Sequence, residues 1–333
     1  MQIRNLGGSG LRVSAVGLGC NNFGQRTDLE TSRKVIHKAI DLGVTLFDTA
    51  DIYAGMGGSE TVLGEVLGDR RKDIVLATKF SKPMSKDGTK QGASRRYIME
   101  AVEASLRRLK TDYIDLYQQH DYDDLTPIDE TLRALDDLVR SGKVRYIGTS
   151  TFAAWQVIES LWVSKEYGLN RFVTEQPPYN LLDRRIEREL IPAARTYGIG
   201  LIPWSPLAGG FLTSKYKPKG DQPEGRFADR SHQRAPALLD NPRAFETVQK
   251  LSALASEKGV PVSQLALAWT IQQPGITSSI IGPRTREQLV DNIAALEVKF
   301  SKEDLARIDA ISPPGDVIVP FYTAEFGPHP QRW

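Results

Sequence analysis

Short apolar runs recur along the chain, each followed by a segment whose apolar positions fall at helical spacing. The runs are Ala15–Cys20, Thr45–Asp48, Ile74–Thr78, Ile114–Gln119, Val144–Ser150, Val173–Gln176, Gly200–Trp204 and Thr277–Ile281. They predict eight strands. Between them, Ser94–Leu109 places Ile98, Ala101, Val102, Ser105, Leu106 and Leu109 on one stripe. A second helix is expected to start with Thr126 as its cap and Pro127 in its first turn, and to bury Ile128, Leu132, Leu135, Leu138 and Val139. Ser141-Gly142 would end it. Ser59 is expected to cap a third helix that buries Val62, Leu63, Val66 and Leu67.

The strands are too uniformly apolar for a sheet that is wet on one face. Helices must cover them, which implies parallel βαβ units. Eight such units match a closed, parallel (β/α)8 barrel, the TIM barrel of the α/β class, whose usual size is roughly 250 residues. An open doubly wound sheet is the alternative. No linker or composition break divides residues 1–333, so one domain is expected. Segment 1–13, around Gly7-Gly8-Ser9-Gly10, reads as an N-terminal β-hairpin. Segment 205–239, rich in Gly, Pro and Lys, is an unusually long loop after strand seven. Loops of that length in a domain are functional or disordered, and phosphate groups commonly sit after strand seven of a barrel. The tail, 312–333, is aromatic. A lid over the mouth, a frayed end and a subunit contact all remain open for it.

Composition narrows the class without selecting a function. Apolar residues make up 40% and charged residues 25%, which sets aside disorder and coiled coil. Lys and Arg number 43 against 41 Asp and Glu, so nothing in the charge calls for nucleic acid or an anionic membrane. A single cysteine, Cys20, excludes a disulfide framework and reads as a small structural residue. The four histidines show no metal-ligand spacing, and no metal is expected. The first residues lack a signal-peptide core, and no run approaches the roughly 20 residues that span a bilayer. A cytoplasmic protein is the expectation, and a homo-oligomer is left open.

Barrel enzymes place their chemistry at the carboxyl ends of the strands. Strand two ends at Asp48, with Tyr53 just beyond. Strand three runs into Lys79 and strand four into His120. Strands five, six and seven end at Ser150, Gln176 and Trp204-Ser205, and strand eight is followed by Gly282-Pro283-Arg284. Taken singly, each has a plainer reading: Asp48 as a turn cap, Lys79 as a solvated lysine, His120 as a structural histidine, Tyr53 and Trp204 as packed aromatics. Together they gather around one mouth.

Four of them suggest a mechanism. A tyrosine hydroxyl, with a reference pKa of about 10, is a weak acid at neutral pH. An ammonium nearby favours the phenolate and lowers that value. Lys79, held by Asp48 in a buried ion pair, would supply it and make Tyr53 a proton donor. His120 would donate a hydrogen bond to a carbonyl oxygen. A carbonyl held this way is ready to receive a hydride, which must come from a cofactor. Gly17-Leu18-Gly19-Cys20-Asn21-Asn22 follows a strand but lacks the third glycine of a dinucleotide fingerprint, so it is read as a tight turn.

Phe47-Asp48-Thr49-Ala50-Asp51-Ile52-Tyr53 with Ser59-Glu60-Thr61-Val62-Leu63-Gly64, then Asp115-Leu116-Tyr117-Gln118-Gln119-His120, then Gly142-Lys143-Val144-Arg145-Tyr146-Ile147-Gly148-Thr149-Ser150 resemble the signatures of the aldo-keto reductases. The resemblance covers nearly the whole chain. It implies a catalytic tetrad of Asp48, Tyr53, Lys79 and His120, and NADP(H) bound across the mouth. Ser150 and Gln176 would hold the carboxamide and Trp204 would stack on the nicotinamide. Ser205, Leu207, Gly209 and Lys215 would grip the pyrophosphate, and Gly282, Arg284, Gln288, Asp291 and Asn292 the adenosine end. Arg284 would meet a 2′-phosphate, which favours NADP over NAD. The chain is similar to the branch that includes bacterial general-purpose reductases and potassium-channel beta subunits. The latter carry asparagine in place of His120. Where the family often has Asn or Arg, this chain has Thr151.

The expected activity is reversible NADPH-dependent reduction of aldehydes and ketones. The alternatives are a non-catalytic NADP(H)-sensing subunit and a barrel lyase or isomerase. Asn22, Tyr53, Tyr122 and the tail after Ser312 would line the substrate pocket, and the small carbonyl or alcohol substrate itself is not readable.

Overall fold

A computed structural model describes residues 1–218, 225–227 and 232–321. The leading hairpin pairs β1 (Ile3–Asn5) with β2 (Arg12–Ser14) antiparallel. Eight further strands follow: β3 (Val16–Gly19), β4 (Leu46–Asp48), β5 (Val75–Phe80), β6 (Ile114–Gln119), β7 (Val144–Ser150), β8 (Thr174–Gln176), β9 (Gly200–Leu201) and β10 (Ser279–Ile281). They form one parallel sheet in the order β10-β3-β4-β5-β6-β7-β8-β9. The two edges meet: Thr277 N donates to Leu201 O at 2.8 Å and Ile280 N to Pro203 O at 2.8 Å. The sheet therefore curls into the (β/α)8 arrangement, and the open-sheet alternative falls away.

The strands are short where the backbone cannot continue the ladder. The expected strand Gly200–Trp204 stops at Leu201, because Pro203 has no N–H to give. A lone bridge, Pro178 to Trp204, carries the pairing one step further. Gly17 and Gly19 lie inside β3 and not in a turn. A Cβ on either would sit within 3 Å of the Ile280 side chain, so these glycines make room for the neighbouring strand.

Helices cover the outside as the periodicity predicts. In α1 (Leu29–Asp41) Asp28 caps the first turn, and in α2 (Arg95–Leu109) Ser94 does so. Two cap expectations are corrected. The helix after Thr126 runs Ile128–Arg140 with Pro127 at its cap position, and Thr126 Oγ1 instead donates to Asp123 Oδ2 at 2.7 Å. Ser59 lies in the first turn of the right-handed helix that ends at Val66, just after the positive-φ turn Ala54–Gly57, but its hydroxyl donates to Cys20 O at 2.8 Å and pairs with the Thr49 hydroxyl instead of capping the helix.

Leu6 and Val13 of the hairpin join Leu46, Ala77, Leu116, Ile202 and Ile280 in one apolar cluster inside the barrel. Gly8 N donates to Gly198 O at 2.8 Å, which ties the hairpin to the chain entering β9. That end of the barrel is closed. The opposite end, where Asp48, His120, Ser150 and Gln176 emerge, is open.

Candidate functional site

A cavity of 1310 Å³ occupies the open end. Asp48, at the end of β4, sits on its wall, and Lys79, in β5, stands behind it. Lys79 is fully buried, with Nζ 2.6 Å from Asp48 Oδ2 and 2.8 Å from Thr49 O. Asp48 Oδ1 accepts from Gln118 Nε2 at 3.1 Å and from Gln176 Nε2 at 2.8 Å. The carboxylate is thus held by an ammonium and two amides. Burial by itself would lower the Lys79 pKa, but the charges of Asp48 and Tyr53 and their hydrogen bonds outweigh it and raise it above its ordinary value.

Tyr53 enters the cavity from a strained turn. Ala54, Gly55, Met56 and Gly57 all have positive φ. For Ala54 and Met56 this conformation costs roughly 1–2 kcal/mol each. At Gly57, φ is +112° and a Cβ would lie 2.4 Å from Arg108 Cδ, so only glycine fits. Arg108 is fixed in turn, with Nε donating to the buried Glu60 carboxylate at 2.7 Å. Beneath the turn, burial and then the Glu60 charge push Asp51 up to about 7.

The Tyr53 and His120 rings meet edge to face, their centroids 5.7 Å apart. Lys79 Nζ is 5.2 Å from the Tyr53 ring centre. The expectation that Lys79 lowers the Tyr53 pKa is only half met. Lys79 pulls it down, but burial pushes it up by more, so the hydroxyl titrates above its ordinary value and stays protonated. His120 is held well below its ordinary value by burial and then by Lys79 and Lys82, so the imidazole is neutral. Its Nδ1 is buried without a partner among the described residues.

The other residues singled out from the sequence also line this cavity. Ser150 Oγ donates to Gln176 O at 2.9 Å. Trp204 follows β9, its N–H donating at 3.0 Å to the carbonyl of Pro177, the residue after Gln176. Ser205, Leu207, Gly209 and Lys215 form one side wall. Gly282, Arg284, Gln288, Asp291 and Asn292 form the far end, where Arg284 N donates to Gln288 Oε1 at 2.8 Å and Asp291 accepts from Gln264 Nε2 at 2.7 Å. Asn22 lines the cavity too, its amide donating to Gly282 O at 3.0 Å. Thr151 lines it in a left-handed conformation, φ 60°.

Tyr122 does not line it. Its ring packs on Phe152 and Trp155, and its hydroxyl donates to Glu159 at 3.3 Å. The described part of the tail, 313–321, runs along Asn180–Arg184, with Ile318 N and Val319 N both donating to Leu182 O at 2.9 Å. Residues 322–333, and 219–224 with 228–231 of the long loop, lie outside the described residues.

Several residues in and behind the cavity wall escape a reading of strand ends. Gln118 supports Asp48 from inside β6. Its signal is a glutamine within an apolar strand. Arg26, Lys82, Arg226 and Arg234 add four cations. Burial, with Arg26 and Arg234 nearby, pushes Arg226 down to about 10. Arg234 places its guanidinium carbon 5.4 Å from the Trp204 ring centre.

A buried Lys–Asp pair stands behind a Tyr and a neutral His at the barrel mouth, and comparisons with known proteins show the family to which the chain belongs. The family model described as "Aldo/keto reductase family" matches residues 15–313, and the chain belongs to that family. It is 41% identical over 323 residues to the uncharacterized oxidoreductase YrpG of Bacillus subtilis (strain 168), covering 94% of this chain and 96% of that one. It is 38% identical over 321 residues to a probable voltage-gated potassium channel subunit beta of Oryza sativa subsp. japonica, covering 93% and 96%. It is 34% identical over 339 residues to versiconal hemiacetal acetate reductase of Aspergillus parasiticus, covering 93% and 96%. No helix among the described residues is long and apolar enough to cross a membrane.

Proposed function

We propose that the protein is an NADPH-dependent reductase of aldehydes and ketones that also runs in reverse on alcohols. The observation that carries this reading is the edge-to-face pair of Tyr53 and His120, backed by the buried Lys79–Asp48 pair, on the wall of a large cavity. The cavity's donor set suits NADP(H): Lys215 and Arg284 along one side and end, with Gly209-Gly210 allowing close backbone approach to phosphate. When bound, the cofactor supplies the hydride.

The chain's own residues do the rest. A neutral His120 donates one N–H to the substrate oxygen and orients it. Tyr53, kept protonated by burial, gives its phenolic proton to that oxygen as charge develops there. Lys79 stabilises the resulting phenolate, and Asp48 keeps the lysine charged and in place. Ser150 and Gln176 would hold the carboxamide and Trp204 would cover the nicotinamide. Leu207 and Ser205 would flank the pyrophosphate. Gly282, Gln288, Asp291 and Asn292 would seat the adenosine, with Arg284 on the 2′-phosphate.

Tyr53→Phe tests the reading. Turnover should fall by at least about a thousandfold while NADPH still quenches tryptophan fluorescence, because only the proton donor is lost. Near-wild-type turnover in Tyr53→Phe would sink the assignment. A second reading, a cofactor-sensing subunit, draws on the similarity to the rice protein. NADPH oxidation in the presence of a reactive aromatic aldehyde separates the two, since a sensor would bind NADPH without consuming it.

A further inference from the structure

The cavity carries more positive charge than its visible chemistry uses. Its walls hold six cations: Arg26, Lys82, Lys215, Arg226, Arg234 and Arg284. They face three carboxylates, Asp48, Asp121 and Asp291. Asp48 is taken by Lys79, which lies behind the wall, and Asp121 by Lys82. Asp291 accepts from the Gln264 amide. Among the described residues no carboxylate forms an ion pair with Arg26, Arg226 or Arg234.

The six cations divide by position. Lys215 and Arg284 belong with the phosphate side of the cavity, Lys215 adjoining Gly210 and Gly225, while Arg226 lies between the two ends: its Cδ packs 3.3 Å from where a Gly209 Cβ would be, and its charge is felt by Tyr53, Arg26 and Arg234. Arg234 belongs to the other end. Its guanidinium lies against Trp204, which neighbours Gln176 and so the Asp48 network. It also lies 5.4 Å from the Phe321 ring centre, and Nη2 donates to Phe321 O at 3.5 Å. The carboxylate whose charge acts on it is Asp183. Asp183 is already engaged by Arg185, at 2.7 Å and 3.0 Å, and by Phe321 N at 2.6 Å. Arg234 is therefore a half-buried guanidinium that forms no ion pair with a carboxylate among the described residues, at the end where substrate would sit.

A guanidinium in that position, with its fork directed by a ring stack and one carbonyl, recognises a carboxylate or phosphate oxygen pair. Resting on the reductase reading of the site, we propose that the preferred carbonyl substrates carry an anionic group, received by Arg234 with Arg26 at the rim.

The test compares 4-carboxybenzaldehyde with its neutral isostere 4-formylbenzamide, using NADPH as reductant. The wild type should favour the carboxylate by at least about tenfold in kcat/KM, which is about 1.4 kcal/mol. Arg234→Gln should bring that ratio close to one, chiefly through KM, while the NADPH Kd changes by less than about threefold. Arg234→Lys should restore part of the ratio, which a purely structural role for the arginine would not. Equal kcat/KM for the two aldehydes in the wild type, or an unchanged ratio in Arg234→Gln, overturns the proposal and leaves the reductase reading standing. Turnover of neither aldehyde overturns the reductase reading itself. Calorimetry with benzoate and benzamide in the presence of NADP+ then decides the anion site: tighter benzoate binding that is lost in Arg234→Gln upholds it, and equal affinities overturn it.

Discussion

Two walls of the same cavity handle charge in opposite ways. On the strand wall, made by β4, β5, β6 and β8, the Asp48 carboxylate has an ammonium and two amides, and the Lys79 ammonium has a carboxylate and a carbonyl. On the loop wall, Arg226 and Arg234 face the cavity with no carboxylate paired to them among the described residues. The first arrangement is complete without a ligand, and the second is not. A compensated buried charge is a fixed part of the chemistry, because breaking it leaves its partner stranded in a low dielectric. An uncompensated cation near solvent stores little folding energy and is available for an anion from outside.

The largest effect should come from breaking the compensated wall. Lys79→Met leaves Asp48 buried opposite a methyl group. Removing one member of such a pair costs about 3–5 kcal/mol of stability. Loss of the ammonium behind Tyr53 should also cut turnover by about a thousandfold or more. Chemical denaturation and steady-state kinetics on the same preparation measure both. A variant that lost turnover with full stability would show that the pair is not a compensated unit.

At the far end of the cavity, beyond β10, the pattern should also invert. Arg284→Ala should weaken NADPH binding by about tenfold or more, leave NADH binding nearly unchanged, and alter stability by no more than about 0.5 kcal/mol. Fluorescence titration with both cofactors and a thermal melt check it. Equal weakening for NADPH and NADH would remove the 2′-phosphate role proposed for Arg284. A large fall in stability would show that this end of the cavity is built like the strand wall.

The strand wall was far more legible in the sequence than the loop wall, for a physical reason. Ile114–Gln119 and Val144–Ser150 match their observed strands residue for residue, since a buried parallel strand is an apolar run with sharp ends. Polar residues at those ends, such as Asp48 and His120, stand out against it. Ser59 and Thr126 misled because a cap residue has the same sequence signature whether its hydroxyl caps a helix or bonds elsewhere. The loop wall has no period to read. Arg226 and Arg234 reach the cavity only because the chain after Ser205 folds back across the mouth, and Tyr122 leaves it because Phe152 and Trp155 offer an apolar seat. Gln118 was visible as a polar residue in an apolar strand, but its partner, Asp48, is 70 positions away.

One residue on the strand side lacks the compensation described for Asp48, which makes it a sharper probe of the distinction. Glu175 is fully buried beside Gln176. Its Oε1 accepts from Phe152 N at 3.2 Å, while Oε2 has no partner among the described residues. With no counter-ion among the described residues, burial pushes its pKa up to about 8, and the charge of Asp121 adds to the shift. Such a carboxyl binds its proton more tightly folded than unfolded. Its contribution to stability is whole below the ordinary glutamate range, and it declines as pH rises from there to about 8. Glu175→Gln replaces the protonated acid with a neutral group of the same shape and should remove that decline. Between about pH 6 and pH 7 the wild type should lose about 1 kcal/mol of stability more than the variant. Asp51, raised to about 7, acts with the same sign and leaves a residual slope in both proteins. Urea denaturation across that interval measures the difference. If the two pH profiles run parallel, Glu175 is compensated after all, and the strand side of the cavity holds its charges by one rule throughout.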